Sequence, residues 1–122
     1  MTANNPHTKK AKGSKYEREI AKLYRNKLFP KAQKMPMSGA MQFHKGDIFK
    51  GEADTFVDEC KCQETTKLWE WWEQAKAQCG AYQSPALHIK RNYSESLTVI
   101  RTADFFELRE TIKDLEEELD VF

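Results

Sequence analysis

The sequence predicts an α/β domain in which a mixed β-sheet is flanked by helices. Apolar residues recur at helical spacing in three segments, and short segments with the alternating or apolar pattern of strands lie between them. Taken in chain order, the elements are predicted as α-β-β-β-α-β-β-α. This alternation excludes a helix bundle and a closed barrel, and it favours a sheet with helices packed on it.

The first half of the chain gives four of these elements. A helix is predicted from Gly13 to about Phe29, and Pro30 ends it. Turn residues between Met35 and Met41 indicate a short strand or turn, and a second strand starts at residues 46–49. Residues 55–63 alternate in polarity, so a third strand is expected to point Glu59 and Lys61 to one face and Asp58 and Cys60 to the other.

The second half gives the remaining elements. A helix is predicted from Lys67 to about Tyr82, weakened at Gly80. Residues 86–91 and 97–101 are predicted as a hairpin, and a last helix runs from about Ala103 to Leu119. Within the second helix, we expect at least one of Trp69 and Trp72 to pack in the core, because the two share a face.

The last helix carries an apolar stripe with alternating three- and four-residue spacing. The stripe consists of Phe105, Leu108, Ile112, Leu115 and Leu119. We expect it to pack against the chain's own sheet, and a dimer seam is the alternative.

The length of 122 residues suits a single domain over residues 13–122, preceded by a flexible basic arm over residues 1–12. No apolar run reaches the roughly 18–20 residues of a membrane span, and the N-terminus lacks the apolar core of a signal peptide. We therefore expect a cytoplasmic protein without a membrane partner.

Three cysteines are an odd number, and two of them are one residue apart, so free thiols in a reducing compartment are expected. A zinc site formed by Cys60, Cys62, Cys79 and His88 is the alternative, although the usual paired spacing of zinc ligands is missing.

Charge is unevenly distributed along the chain. The whole chain has a net charge of +1, whereas residues 1–45 carry a net charge of +9 and residues 104–122 a net charge of −6. A concentrated basic segment favours a polyanion such as nucleic acid, and a solvated basic helix face is the alternative. The candidate nucleic-acid-binding residues are Lys9, Lys10, Lys12, Lys15, Arg18, Lys34, Ser38, Lys45 and Gln63.

Asp47, Glu59 and Lys61 form the candidate catalytic group. Asp47 lies near the start of one predicted strand, and Glu59 and Lys61 share a face of the next, so a hairpin between the strands would bring them together. Two carboxylates on an interior strand are costly to bury unless a cation compensates them, and Mg²⁺ prefers such oxygen ligands. The expected metal ligands are Asp47, Glu59 and the backbone carbonyl of Cys60. A turn aspartate beside a structural salt bridge is the alternative.

Glu17 is the candidate from the first helix. At 100° per residue, Glu17 falls inside the apolar arc, whereas Glu19 falls at its edge. The arc is formed by Tyr16, Ile20, Leu23, Tyr24 and Leu28. A carboxylate on a buried face needs a partner, so Glu17 is assigned to the catalytic group. A helix-start carboxylate favoured by the helix dipole is the alternative.

These motifs resemble the PD-(D/E)XK nuclease superfamily. Gly46-Asp47 followed by Glu59-Cys60-Lys61 is similar to its signature, with Gly46 at the place of the proline. The segment from Gly13 to Glu19 and the Ser38-Gly39 pair are similar to archaeal and phage Holliday-junction resolvases.

The resemblance implies a restriction-endonuclease-like fold, a Mg²⁺ requirement that Mn²⁺ can satisfy, a homodimer, and cleavage of DNA, most specifically branched DNA. The alternative function is a non-catalytic nucleic-acid-binding protein with a nuclease-like fold.

Overall fold

The computed structural model of the chain describes residues 6–36 and 46–119. Its first helix, α1, spans Pro6–Lys27. It begins well before the predicted start at Gly13, because proline is favoured in the first turn of a helix and the lysine-rich residues that follow are good helix formers. Residues 6–12 of the predicted arm therefore belong to α1.

The strands divide into two sheets rather than one. The strands β1 (Gln33–Lys34) and β2 (Ile48–Phe49) form an antiparallel pair. The strands β3 (Phe56–Cys62), β4 (Ser84–Lys90) and β5 (Leu97–Val99) form a second sheet in the order β3-β4-β5. The mixed α/β class is confirmed, and the expectation that β2 and β3 pair directly as a hairpin is wrong within the described residues.

β3 and β4 run parallel, with Glu59 beside Leu87 and Cys60 beside His88. Parallel neighbours need a crossover connection, and the helix α2 (Leu68–Ala77) provides it. β4 and β5 run antiparallel, as the predicted hairpin requires. α2 ends before the predicted Tyr82, ahead of Gly80.

Two apolar clusters cover opposite faces of the three-stranded sheet. On one face, Tyr16, Ile20 and Ala21 of α1 pack against Cys60. On the other face, Trp71 and Ala75 of α2 pack against Leu87. Residues beside one another on neighbouring strands share a face, so the register of Cys60 with His88 and of Glu59 with Leu87 fixes which side each residue occupies.

The three tryptophans of α2 have different environments. Trp72 is half-buried and packs against the cluster around Leu87, which confirms the expectation that one of Trp69 and Trp72 enters the core. Trp69 is 76% exposed, and Trp71, at 3% exposed, is the fully buried one.

The last helix, α3, spans Thr102–Leu119 and has no buried residue. The expectation that its apolar stripe packs on the chain's own sheet is wrong. The physical reason is that α1 and α2 already cover the two faces of that sheet. Within the described residues, no helix carries an apolar stretch that could cross a bilayer.

Candidate active site

Asp47 is fixed against the free edge of β3 by two hydrogen bonds. Its backbone N–H donates to the carbonyl of Asp58 at 2.8 Å, and its carboxylate oxygen Oδ2 accepts from the N–H of Cys60 at 2.7 Å. Its own carbonyl accepts from the N–H of Met35 at 2.7 Å. Asp47 therefore links the two sheets, and this link, rather than the predicted hairpin, brings Asp47 close to Glu59.

Gly46 makes this approach possible. Its φ of +88° is in the region that favours glycine, and proline cannot adopt it. A Cβ atom here would lie 2.6 Å from the carbonyl oxygen of Asp58 and 2.8 Å from Cγ1 of Val57. The close contact between residue 46 and β3 explains why glycine stands where the superfamily signature has proline.

Glu59 and Lys61 extend from the same face of β3, as predicted. The Nζ of Lys61 lies 4.0 Å from the Oε1 of Glu59. Burial raises the pKa of Glu59, the charge of Asp47 raises it further, and Lys61 only partly offsets both, so the pKa reaches about 7. The site thus holds a partly buried carboxyl group whose ionised form lacks sufficient positive charge nearby.

Asp47 is also a buried carboxylate with too little positive charge nearby. Burial raises its pKa, and the hydrogen bond from the Cys60 N–H and the charge of Lys61 lower it less than burial raises it. The pKa of Glu17 on α1 is also raised, first by burial and then by the charge of Asp47. The structure therefore brings Glu17, Asp47 and Glu59 within electrostatic reach of one another.

Lys34 of β1 is the second cation of this group. Its Nζ lies 3.5 Å from the Oε2 of Glu17, so this lysine, predicted as a phosphate contact, pairs with a site carboxylate. Glu19, which the helix geometry placed at the edge of the apolar arc, instead pairs with Lys90 at 3.4 Å.

The chemistry of these donors fits a hard divalent cation. Carboxylate oxygens are the ligands Mg²⁺ prefers, and Mg²⁺ commonly keeps several waters and only one or two protein carboxylates. Within residues 6–36 and 46–119, no three His, Cys, Asp or Glu side chains form a ready metal cluster. Asp47 and Glu59 could therefore hold Mg²⁺ only together with water or backbone oxygen.

The alternative zinc site does not form, because its four residues belong to different surroundings. Cys60 lies in the core under α1, and His88 makes two other hydrogen bonds. The Sγ of Cys79 donates to the carbonyl of Ala75 within α2. All three cysteines are free thiols, as predicted.

A buried polar network under α1 was not predicted as a unit. The carboxylate of Asp58 accepts hydrogen bonds from the Tyr24 hydroxyl at 2.5 Å and from Nε2 of His88 at 2.7 Å. The Nζ of Lys50 lies 2.6 Å from its other oxygen and donates to Asp54 at 2.5 Å. The sequence contained one sign of this network. The alternation of β3 predicts that Asp58 lies on the same face as Cys60, and an aspartate on a buried face needs polar partners.

The candidate nucleic-acid-binding residues have several locations. Lys9, Lys10, Lys15 and Arg18 are exposed on α1, and Gln63 is exposed just after β3. Lys12 is half-buried and pairs with Glu64 at 3.8 Å. Ser38 and Lys45 lie outside the described residues.

A basic cleft of about 360 Å³ lies between the N-terminal half of α1 and the ends of β3 and β4. Its lining includes Lys12, Lys15, Lys90, Arg91 and Tyr93. Lys90 is beside Cys62 in the register, and Cys62 alternates with Lys61 along β3, so the cleft lies on the α1 side of the sheet, opposite the face that carries Glu59 and Lys61. Tyr93 is fully exposed with a φ of 60°. Sequence reasoning missed Lys90, Arg91 and Tyr93, because only the fold brings them next to α1.

The raised pKa of Glu59 predicts a stability change that depends on pH. Between its ordinary value of 4.5 and about 7, the folded state keeps a proton that the unfolded state has lost, so this group lowers stability as pH rises. With a chelator present to remove metal, Glu59→Gln is therefore expected to raise the free energy of unfolding at pH 8 by on the order of 1–3 kcal/mol. At pH 4.5 the same substitution is expected to change it little.

Urea denaturation at the two pH values measures this difference. Glu52→Gln is the matched control, because it makes the same substitution at an exposed glutamate outside the carboxylate group. An equal gain for Glu59→Gln at both pH values, or no gain at pH 8, would contradict the account of Glu59.

Comparison with known proteins identifies a family. The family model described as "Phage putative PDDEXK endonuclease" matches residues 8–120, which include Glu17, Asp47, Glu59 and Lys61. No curated protein and no solved structure matches the chain significantly. The match extends over nearly the whole sequence and names the superfamily that the motif resembles. The chain therefore belongs to this phage family of PDDEXK endonucleases.

Proposed function

We propose that the protein is a divalent-metal-dependent endonuclease that hydrolyses phosphodiester bonds of DNA, with branched DNA as its preferred substrate. The observation that carries the proposal is the juxtaposition of Asp47 and Glu59, beside Lys61, at the free edge of β3. Carboxylates with raised pKa values next to a lysine are a costly arrangement for stability alone, and they are typical of functional sites.

Asp47 and Glu59 would hold Mg²⁺, or Mn²⁺ in its place, together with the backbone carbonyl of Cys60. The N–H and C=O of a strand residue leave the strand on the same edge, and the Cys60 N–H is directed at Asp47. The Cys60 carbonyl therefore faces the same side. When bound, the cation would supply a water of lowered pKa and neutralise charge that builds on the phosphate.

The remaining residues of the site have roles that follow from their charge. The ammonium group of Lys61 would orient the attacking water or stabilise the developing negative charge of the phosphate. Glu17 would hold a water molecule at the site, and its ion pair with Lys34 would keep its carboxylate in place. Both are second to Asp47 and Glu59, which contact the cation directly in this proposal.

The basic residues near the site would hold the DNA backbone. Exposed lysines on α1 and the basic cleft between α1 and the ends of β3 and β4 together offer positive charge on the α1 side of the sheet. Ser38, Lys45 and Gln63 are proposed as further contacts. The exposed ring of Tyr93 at the cleft could stack on an unpaired base, as aromatic residues do in proteins that bind single strands. Such bases occur where a duplex branches.

Two further aspects of the proposal are the substrate and the compartment. The preference for branched DNA rests on the resemblance of residues 13–19 to the junction resolvases. The free thiols favour work in a reducing cytoplasm, where DNA and Mg²⁺ are available.

Incubation with four DNA substrates tests the proposal. Four-way junction, flap, linear duplex and single-stranded DNA are offered with Mg²⁺ and with a chelator, and cleavage is followed on denaturing gels. We expect cleavage only with Mg²⁺ and fastest on the branched substrates. Affinity in Ca²⁺ should fall steeply with salt, with a log–log slope of about −4.5 or steeper if five or more phosphates are contacted.

Equal cleavage in the chelator would contradict the metal-dependent mechanism, and equal rates on all four substrates would contradict the branch preference. Tight DNA binding without cleavage of any substrate would support the alternative of a non-catalytic binding protein.

A further inference from the structure

Helix α3 presents an apolar stripe that nothing in the described chain covers. Phe105, Leu108, Ile112, Leu115 and Leu119 are between 45% and 71% exposed, and the helix makes no extensive contact with any other helix or strand described. Five large apolar side chains in a row exceed the scattered single residues that are normal on a protein surface. The stripe therefore requires a partner surface.

The spacing of the stripe identifies the kind of partner. With Phe105 at position a of a heptad, Ile112 and Leu119 also occupy a, and Leu108 and Leu115 occupy d. A 3-4 repeat of this kind is the pattern of a helix that packs against another helix in a coiled coil. The faces opposite the stripe carry charged residues such as Glu107, Glu110 and Glu117. These favour water over a buried environment.

We propose that α3 is the dimerisation element of the protein and forms a parallel, two-stranded coiled coil with α3 of a second copy. In a parallel coiled coil, isoleucine at the central a position with leucine at both d positions favours two strands over three or four. The proposal does not depend on the nuclease function, because none of the active-site residues lies on α3.

The flanking charges select the parallel orientation. In a parallel pair, each g residue faces the e residue of the next heptad on the partner helix, which places Asp104 against Arg109 and Thr111 against Glu116. Asp104 and Arg109 attract each other, and Thr111 is uncharged, so the second pair neither attracts nor repels. In an antiparallel pair, g faces g and e faces e, so Asp104 would lie opposite Glu118 and Arg109 opposite Glu116 on both sides of the seam. The repulsion of the like-charged pairs offsets the attraction of the other pairs there, whereas the parallel seam has attractive pairs and no like-charged ones, so the charges favour the parallel arrangement.

Charge also excludes a seam that uses the outer face. α3 carries seven acidic and two basic residues, so two copies repel each other unless their acidic faces point away. The apolar stripe is the one face on which two copies can approach without bringing the outer glutamates together. A helix of 18 residues offers about two and a half heptads, so the interface is small and the dimer is expected to be concentration-dependent.

Sedimentation equilibrium of the full chain over a range of concentrations tests the dimer. We expect wild-type protein to shift from monomer to dimer, and Ile112→Lys to weaken the association at least tenfold. The matched control is Glu110→Lys, which places the same side chain on the outer face and should associate at least as well as wild type. A monomeric wild-type protein at the highest concentration, or an Ile112→Lys variant that dimerises normally, would overturn the proposal.

Disulfide trapping tests the orientation. Position 108 lies next to its own copy in a parallel seam, so Leu108→Cys should form a covalent dimer on mild oxidation, beyond the level given by the native thiols of wild type. In an antiparallel seam the two copies of residue 108 lie at opposite ends of the pair. A Leu108→Cys variant that dimerises by sedimentation but forms no more disulfide than wild type would therefore overturn the parallel arrangement.

Discussion

Replacing Glu59 with glutamine is expected to reduce DNA cleavage by roughly 10²–10³-fold or more while DNA binding stays near wild type. The substitution keeps the shape of the side chain but removes the charge that, with Asp47, would hold the cation. The basic residues that contact phosphates are unchanged, so affinity measured in Ca²⁺ should not fall. Asp47→Asn is expected to give the same result, because its carboxylate serves the same cation.

Single-turnover cleavage and fluorescence anisotropy measure the two quantities separately. Glu52→Gln is the control, since it removes an exposed carboxylate of the same type outside the site. The denaturation measurement on Glu59→Gln shows whether the variant is folded, and with the expected gain in stability a loss of cleavage is assigned to the site and not to unfolding. Cleavage at the wild-type rate by Glu59→Gln would remove Glu59 from the catalytic group.

The second large effect is expected at Asp58. Asp58→Ala is expected to lower the free energy of unfolding by about 3–5 kcal/mol, because it removes the fully buried one of the two carboxylates that neutralise buried Lys50. It also removes the acceptor for Tyr24 and His88. Chemical denaturation at pH 7 measures this change. Asp54→Ala is the matched control with a smaller expected effect, since Asp54 also pairs with Lys50 but its side chain is less buried than that of Asp58.

The pH dependence of stability gives the same network a second test. Burial raises the pKa of Asp58, but the hydrogen bond from His88 and the charge of Lys50 outweigh it and hold the pKa below its ordinary value. Its contribution is therefore fully present above the unfolded pKa and is lost as pH falls through the lower folded pKa. Wild type should lose stability on acidification below about pH 4, and Asp58→Ala should show a flatter acid limb. Equal acid limbs would contradict the role assigned to Asp58.

The helices and the strand β3 could be predicted from the sequence, because the periodicity of apolar residues depends only on neighbouring positions in the chain. β3 was predicted to within one residue at each end, and its alternation correctly separated Glu59 from Asp58. The link between Asp47 and β3 could not be predicted in its actual form. It depends on a positive φ at Gly46 and on one side chain that bonds to a strand edge, and neither leaves a periodic pattern.

Contacts between distant residues account for the other differences. Asp58 and His88 are 30 residues apart, and only the parallel register of β3 and β4 brings them together. Whether the apolar stripe of α3 packs on the sheet depends on whether one face of the sheet is left uncovered by α1 and α2. The sequence alone does not show how the helices are placed on the sheet. Ser38 and Lys45 lie outside the described residues, so their proposed contacts with DNA remain predictions.

Calorimetric titration with Mn²⁺ in the absence of DNA tests the central claim most directly. If Asp47 and Glu59 bind a divalent cation together, wild-type protein should show saturable Mn²⁺ binding that Asp47→Asn and Glu59→Gln each abolish and Glu52→Gln retains. Wild-type protein that binds no Mn²⁺, or binding that persists unchanged in both site variants, would contradict the claim.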